Sequence, residues 1–244
     1  MPRPRTASVS TILITGARAP IALDIARSFA AAGHDAHLAD SIRPWGARLS
    51  RLPFGRLHRF APPRFAFAKF ASDLASLVEK LDTKLVIPTC EEVFYVAEAA
   101  ARCGFADRVF APPPAVLRQL HSKVEFANLA RASGIVAPET RRVTMAADLA
   151  VWRGKAGGLV FKPEFSRFAS HTLIRPEPYS LDRIVPSPDQ PWAVQDFITG
   201  EEICVWSAAR AGEIVAFAAY KPRWRHGRSA SFYFEADRDP ALLA

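Results

Sequence analysis

Cysteine is scarce in this chain of 244 residues: there are three, Cys90, Cys103 and Cys204, and no two of them form a Cys-x-x-Cys pair. This scarcity argues against a disulfide framework and a cysteine-based zinc site, and it fits a reducing cytoplasm. Long apolar runs are also missing. The stretch 9–14 is short and is interrupted by a serine and a threonine, so we expect neither a signal peptide nor a membrane span.

Glycine-rich nucleotide motifs are missing as well. A dinucleotide fingerprint needs three glycines, whereas only Gly16 follows the first predicted strand. Asp40 ends the second predicted strand, where a ribose-binding acid often lies, but no tyrosine has a lysine four residues later, as a short-chain reductase would require. No Gly-x-x-x-x-Gly-Lys-Ser/Thr sequence occurs either. These absences disfavour NAD(P) binding and a P-loop.

Metal-ligand patterns are weak. His34 and His37 flank a predicted helix-to-strand turn and so do not share one helix face. We therefore predict a solvated turn there and no metal site.

Basic residues are in excess, 32 against 24 acidic ones, which gives a formal charge of +8. Such an excess favours anionic partners, or it is simply a solvated basic surface. The segment 41–72 contains six arginines among aromatic residues and no acid. That mixture can bind nucleic acid, but we favour a long loop covering the first domain, and we expect no nucleic-acid or membrane partner.

The first part of the chain alternates strand-like and helix-like segments, which predicts an α/β fold with a doubly wound parallel sheet. Beyond the prolines 112–114 the alternation ends, and two predicted helices are followed by strand-like segments. A domain boundary is therefore expected there. The final quarter is rich in strands and should be antiparallel, with a tight turn at Ala211-Gly212. Predicted strands are 11–15, 36–40, 85–87, 108–110, 159–162, 172–175, 193–198, 202–210, 213–220 and 229–235; predicted helices are 20–32, 73–81, 91–102, 115–120 and 124–133.

Three separated segments carry the most specific pattern. Lys123 stands at a helix start in Ser-Lys-Val-Glu-Phe, and Lys162 ends an apolar strand in Val-Phe-Lys-Pro. The third segment, 195–202, reads Gln-Asp-Phe-Ile-Thr-Gly-Glu-Glu. In this order they resemble the ATP-grasp superfamily, and most closely its carbamoyl-phosphate-synthase-like members. The resemblance covers the whole chain.

The resemblance implies three parts: a Rossmann-like pre-ATP-grasp domain at 1–111, an ATP-grasp small lobe at 112–192, and the start of an incomplete α+β large lobe at 193–244. Both lysines would meet phosphate oxygens, because an ammonium on a flexible stem can follow a polyphosphate through a reaction. The residues that the resemblance assigns to ATP are Lys123, Lys162, Ser166, Arg167, Ser170, Gln195, Asp196, Phe197, Ile198 and Glu202. Backbone groups of 196–198 would meet the adenine edge, and Glu202 would accept from the ribose.

Two basic residues near the end of the chain, Arg223 and Arg225, are the candidates for catalytic contact with the substrate or the γ-phosphate. They lie in a loop position where the family approaches the transferred phosphate.

The chain departs from the family at two places. Segment 164–171 contains no glycine, so Ser166, Arg167 and Ser170 would have to serve as phosphate donors.

The second departure concerns magnesium. The family's acidic ligand and the Glu-x-Asn that follows have no counterpart before Ala244. We therefore assign no metal ligand, and magnesium is expected only if a further C-terminal segment is present. The sequence is interpreted either as a fragment of a longer enzyme or as a natural remnant that binds nucleotide without turnover.

For a complete enzyme the resemblance implies an ATP-dependent carboxylate-amine ligase, or a similar enzyme, in which a small carboxylate becomes an acyl phosphate. Its partners would be ATP and that carboxylate. A non-catalytic nucleotide-binding domain and a basic nucleic-acid binder are the alternatives. An apolar face of 202–235 should remain exposed, so we expect dimerisation through it or poor solubility.

Overall fold

The computed structural model describes residues 9–50, 56–167, 171–225 and 231–239. The chain divides into two compact units, the first ending at Arg118 and the second beginning at Gln119. The three-part organisation with boundaries at 111 and 192 stays a prediction.

The first unit contains a four-stranded sheet with helices between its strands. The strands are β1 (Thr11–Thr15), β2 (Asp35–Asp40), β3 (Leu57–Arg59) and β4 (Leu85–Ile87), and the helices are α1 (Pro20–Ala31), α2 (Trp45–Arg48), α3 (Phe67–Lys80) and α4 (Val93–Cys103). All strand pairs are parallel, in the order β3-β2-β1-β4. This confirms the predicted doubly wound sheet.

Alternating side chains of β1 build two cores, because successive residues of a strand point to opposite faces. Ile12 and Ile14 join a buried cluster with alanines of α1. Leu13 points the other way, into a cluster that includes Phe70 of α3 and Val96 of α4. The sheet is therefore covered on both faces, as an all-parallel sheet requires.

Two predictions for the first unit are wrong. The segment 41–72 is not one long loop, because it contains α2 and β3, and Leu57 of β3 pairs with Leu38 of β2. Residues 108–110 form no strand. They follow a 3-10 turn (Ala106–Arg108) and make one bridge, between Val86 and Val109. The prolines that follow at 112–114 lack the N–H groups that would extend a ladder.

The second unit contains two antiparallel sheets. Its elements are α6 (Lys123–Ala132), β5 (Thr140–Val143), β6 (Leu159–Pro163), β7 (Leu173–Ile174), β8 (Trp192–Asp196), β9 (Cys204–Arg210), β10 (Glu213–Arg225) and β11 (Ser231–Asp237), while α5 (Pro114–His121) contains the division between the units. The sheet orders are β5-β8-β6-β7 and β11-β10-β9. Two 3-10 segments, Ala146–Gly158 and Pro178–Arg183, contribute to the core of the first of these sheets.

The three-stranded sheet buries little. Trp224 is 61% exposed and Phe232 67% exposed, and their rings contact each other in the open. Ala211 and Gly212 turn the β9–β10 hairpin with φ values of 52° and 85°, which confirms the predicted tight turn. No helix in the described ranges is long and apolar enough to cross a membrane.

Candidate functional site

Lys123 is fixed at the first turn of α6. Ser122 caps this helix, because its Oγ accepts from the Glu125 amide at 3.0 Å. The Lys123 Nζ donates to the backbone carbonyl oxygens of Glu164 and Ser166, each at 2.9 Å. Burial, and then the charge of Lys162, lower the pKa of Lys123 to about 8.

Lys162 reaches the same region from β6. Its Nζ donates to Gln195 Oε1 at 2.6 Å, and Gln195 Nε2 donates to Thr140 Oγ1 at 2.9 Å. Burial lowers the pKa of Lys162. Within the described ranges neither Lys123 nor Lys162 forms an ion pair with a carboxylate. The charge of Glu164 raises the pKa of Lys123, but less than burial lowers it. Two neighbouring, partly buried ammonium groups that form no ion pair in these ranges are the arrangement expected of an anion site.

A buried carboxylate holds this arrangement together. Glu164 is fully buried and accepts from Ser122 Oγ and from two Arg142 nitrogens, Nε at 2.6 Å and Nη2 at 2.5 Å. Arg142 also reaches Glu125, at 3.2 Å. The hydrogen bonds that Arg142 donates to Glu164, and then the charge of Glu164, raise the pKa of Arg142. Because Ser122 precedes Lys123 and Glu164 follows Lys162 by two residues, the network fixes both lysine backbones.

Sequence reasoning missed Arg142 and Glu164. The pattern Ser122-x-x-Glu125 is a capping-box signal and could have marked this helix end. The Glu125 side chain, however, turns to Arg142, on a strand that was not predicted. Nothing in the local sequence indicates that Glu164 is buried.

Among the backbone groups of 196–198, which were predicted to meet the adenine edge, one amide is open. The Asp196 amide donates to Glu139 O at 3.1 Å and the Phe197 amide to Gly158 O at 3.0 Å. The Ile198 amide has no hydrogen-bond partner among the described residues, and its side chain is 64% exposed. The structure therefore leaves Ile198 as the candidate donor to an adenine edge.

Glu202 and Arg225 lie together, with Arg225 Nη2 2.6 Å from Glu202 Oε2. Arg223 instead pairs with Glu235 of the neighbouring strand, Nε to Oε2 at 2.5 Å. The loop predicted for these two arginines is wrong, because both lie in β10. Each is bound to a carboxylate, and only Arg225 lies beside a predicted nucleotide contact.

The segment after β6 is only partly described. Ser166 Oγ donates to Pro163 O at 3.0 Å, and Arg167 is exposed. Ser170 lies outside the described residues. A cavity of about 460 Å³ lies beside this segment, between Phe165 and Trp192, but neither site lysine lines it. Charge, rather than cavity shape, therefore marks the candidate phosphate site.

Metal ligands do not cluster in the described part of the chain: no group of three His, Cys, Asp or Glu side chains could hold an ion there. The residues described therefore do not form a magnesium site.

No protein-family model and no curated protein matches the chain in sequence. Solved structures do match it. An L-amino acid ligase from Bacillus licheniformis aligns with a TM-score of 0.68 at 13% identity, covering 98% of this chain and 58% of that one. An N5-carboxyaminoimidazole synthase from Aspergillus clavatus, in complex with ADP and 5-aminoimidazole ribonucleotide, aligns with a TM-score of 0.65 at 14% identity. The alignment covers 91% of this chain and 55% of that one.

A RimK domain protein, ATP-grasp, from Sphaerobacter thermophilus gives a TM-score of 0.56 at 17% identity and covers 96% of this chain and 78% of that one. These likenesses show that the chain has the ATP-grasp fold, which confirms the predicted fold. The chain spans somewhat more than half the length of the L-amino acid ligase and of the N5-carboxyaminoimidazole synthase. The likeness to carbamoyl-phosphate-synthase-like members stays a prediction.

Proposed function

We propose that the second unit binds ATP and that the protein takes part in ATP-dependent ligation. The observation that carries this proposal is the convergence of Lys123 and Lys162, neither of which forms an ion pair in the described residues, on a buried network that holds both. Desolvating two like charges side by side is costly. An arrangement of this kind is best explained by an anion that neutralises both ammonium groups.

The residues fit a nucleotide as follows. Lys123 and Lys162 would hold phosphate oxygens, which are stronger acceptors for an ammonium than the carbonyl and amide oxygens they contact now. The open Ile198 amide would donate to the adenine edge, with Phe197 and Ile198 as apolar contacts. Glu202 would accept from the ribose hydroxyls after leaving Arg225.

The roles of the two lysines differ in the proposal. Lys162 is anchored in a central strand and would keep one position. Lys123 donates to the carbonyl oxygens of Glu164 and Ser166, so a phosphate that draws Lys123 away would free these two carbonyl groups. Lys123 would therefore exchange two backbone contacts for the phosphate contact.

When bound, ATP would supply phosphoryl transfer to a carboxylate, giving ADP and an acyl phosphate from which an amine then displaces phosphate to form an amide. Support for this class comes from the structural neighbours, which include an L-amino acid ligase and an N5-carboxyaminoimidazole synthase solved with ADP. The chain's own residues would bind and orient the nucleotide and neutralise its charge.

The second candidate is nucleotide binding without turnover. It is favoured by the pairing of Arg223 and Arg225 with Glu235 and Glu202, because an arginine held by a carboxylate is less available to a transferring phosphate. An activity assay separates the two candidates: the protein is incubated with ATP, magnesium, hydroxylamine and a panel of carboxylic acids.

Hydroxylamine captures an acyl phosphate as a hydroxamate. ATP-dependent hydroxamate that disappears in Lys162→Ala supports ligation. ATP binding with no ADP or hydroxamate from any carboxylate supports the second candidate. Failure to bind ATP at all contradicts both.

A further inference from the structure

A second cavity, of about 340 Å³, lies in the first unit, and the proposed ATP site makes no use of it. Its lining residues all follow the carboxyl ends of strands of the parallel sheet. The strand order β3-β2-β1-β4 reverses between β1 and β4, and the cavity is lined by residues that follow both of these strands. Ligands of open parallel sheets bind at such a reversal point, in pockets of roughly 300–1,000 Å³.

Glu92 is held rigidly at this cavity. Its Oε1 accepts from Thr15 Oγ1 at 2.9 Å, from the Thr89 amide at 3.2 Å and from the Cys90 amide at 3.4 Å. Gly16 permits this packing, because a Cβ there would lie 2.5 Å from the same oxygen. The other oxygen, Oε2, has no hydrogen-bond partner among the described residues. The cavity is thus lined by a fixed carboxylate with one oxygen available.

Arg18, which carries the opposite charge, is also held at this cavity by hydrogen bonds. Its backbone amide and Nε donate to Asp40 Oδ2 at 2.9 and 3.0 Å, and its Nη2 donates to the other Asp40 oxygen and to Ser41 Oγ. Asp40, the acid that ends β2, is fully buried, and its carboxylate accepts these hydrogen bonds from Arg18. The third nitrogen, Nη1, has no partner in the described part of the chain, although half of the side chain is exposed.

Arg18 and Glu92 both line the cavity and form no ion pair with each other. Hydrogen bonding to Asp40 is the largest cause that raises the pKa of Arg18, and the charge of Glu92 contributes further. Arg64 and Glu91 add one charge of each sign, so the lining is neutral overall. A simple anion would leave the open oxygen of Glu92 without a donor, and a simple cation would leave the open Nη1 of Arg18 without an acceptor.

The remaining walls are mostly apolar or aromatic, with two prolines, Phe65 and Tyr95, beside Ser41 and Cys90. A ligand that matches them carries one ammonium, one carboxylate and an apolar side chain. We propose that this cavity binds a zwitterionic α-amino acid with an apolar side chain, its ammonium on Glu92 Oε2 and its carboxylate on Arg18 Nη1. The site belongs to the first unit and does not depend on ATP.

The test is calorimetric titration of the full chain, without nucleotide, with L-leucine, L-isoleucine, L-methionine and L-phenylalanine. Saturable binding of at least one of these is expected. Two analogues of phenylalanine or of leucine, one lacking the carboxylate and one lacking the ammonium, should each bind about tenfold or more weaker than the parent amino acid, because each leaves one fixed charge unmatched.

Glu92→Gln keeps an oxygen for the three protein donors and removes the charge, so it should weaken binding about tenfold or more. Glu98→Gln removes one charge from the same helix, where Glu98 pairs with Arg102, and should leave the affinity unchanged. The proposal is overturned if none of the four amino acids binds at millimolar concentration. It is also overturned if the analogues bind as well as the parent, or if Glu92→Gln has no effect. Since no nucleotide is present, these outcomes are independent of the ATP site.

Discussion

Arg142 donates hydrogen bonds to both oxygens of the buried Glu164 carboxylate, from Nε at 2.6 Å and from Nη2 at 2.5 Å. The pair joins β5 to the residue that follows β6, and through Ser122 it also joins the start of α6. Three elements of the second unit thus meet at one carboxylate. The two site lysines are held in place by residues that do not themselves belong to the proposed phosphate contacts.

Removing Arg142 should therefore destabilise the fold strongly. Arg142→Met leaves a charged carboxylate buried without its cation, which costs about 3–5 kcal/mol. The measurement is the free energy of unfolding in urea. Arg153→Met is the matched control, because Arg153 pairs with the exposed Asp182, and a surface pair is worth about 0–1 kcal/mol. Equal losses in the two variants would show that the buried pair does not hold the unit together.

Gly16 should tolerate no side chain. Its φ is 72°, and a Cβ would lie 2.5 Å from both Glu92 Oε1 and Thr89 Oγ1. Gly16→Ala therefore combines left-handed strain with a steric clash, and we expect a loss of about 2–4 kcal/mol in unfolding free energy. Gly33→Ala is the control, since Gly33 has a φ of 87° but open space around it. Only the strain, about 1–2 kcal/mol, should appear there.

Nucleotide affinity should depend on pH through Lys123. A lysine binds phosphate as a cation, and the pKa of Lys123 is lowered to about 8 by burial and by Lys162. ATP affinity should therefore fall as the pH rises from 7 to 9, a range in which the phosphates are already ionised. Lys123→Arg should bind with a flatter profile, because a guanidinium stays charged. A wild-type profile that is flat over this range would contradict the role of Lys123.

The same lowered pKa has a consequence for the free protein. The unfolded chain keeps this proton up to pH about 10.5, whereas the folded chain loses it near pH 8. Between these values the unfolded state binds more protons, so the stability of the nucleotide-free protein should rise with pH in this window. Urea unfolding at pH 7.5 and 9.5 measures it, and Lys123→Met should reduce the difference.

The open three-stranded sheet should make the protein associate. Phe232 and Trp224 are well exposed on it, and contiguous apolar surface of this kind favours self-association. Sedimentation velocity at rising concentration should show dimers or larger species, and Phe232→Lys should shift them to monomer. Val136→Lys, at a fully exposed loop position, should not. A wild-type monomer at high concentration would contradict this expectation.

The sequence predicted the elements that carry a local signal. Strong alternation of apolar segments indicated the parallel sheet, and the residues around Lys123 and Lys162 marked both lysines, because a helix start and an apolar strand are local features. Strand β5 escaped prediction because Arg141 and Arg142 occupy its middle and only its ends are buried. A buried partner 22 residues away decides that strand, and no window of the sequence contains both partners.

The same limit applies in the first unit. Asp40 was noticed as a strand-end acid, but its partner Arg18 lies 22 residues earlier and became visible only in the fold. The Ile198 amide could be singled out only once the amides of Asp196 and Phe197 were seen to donate to Glu139 and Gly158, the residues that precede β5 and β6. Sequence patterns thus located the candidate segments, whereas the atoms available to a ligand depend on tertiary pairing.

The most direct test of the central claim is calorimetric titration of the protein with a non-hydrolysable ATP analogue, with and without magnesium, on wild type, Lys162→Ala and Lys155→Ala. Lys155 is an exposed lysine of the same unit and controls for a general loss of charge. We predict that wild type and Lys155→Ala bind the analogue, whereas Lys162→Ala binds at least about tenfold more weakly. Absence of binding to wild type in both conditions, or unchanged binding by Lys162→Ala, would contradict an ATP site at the two lysines.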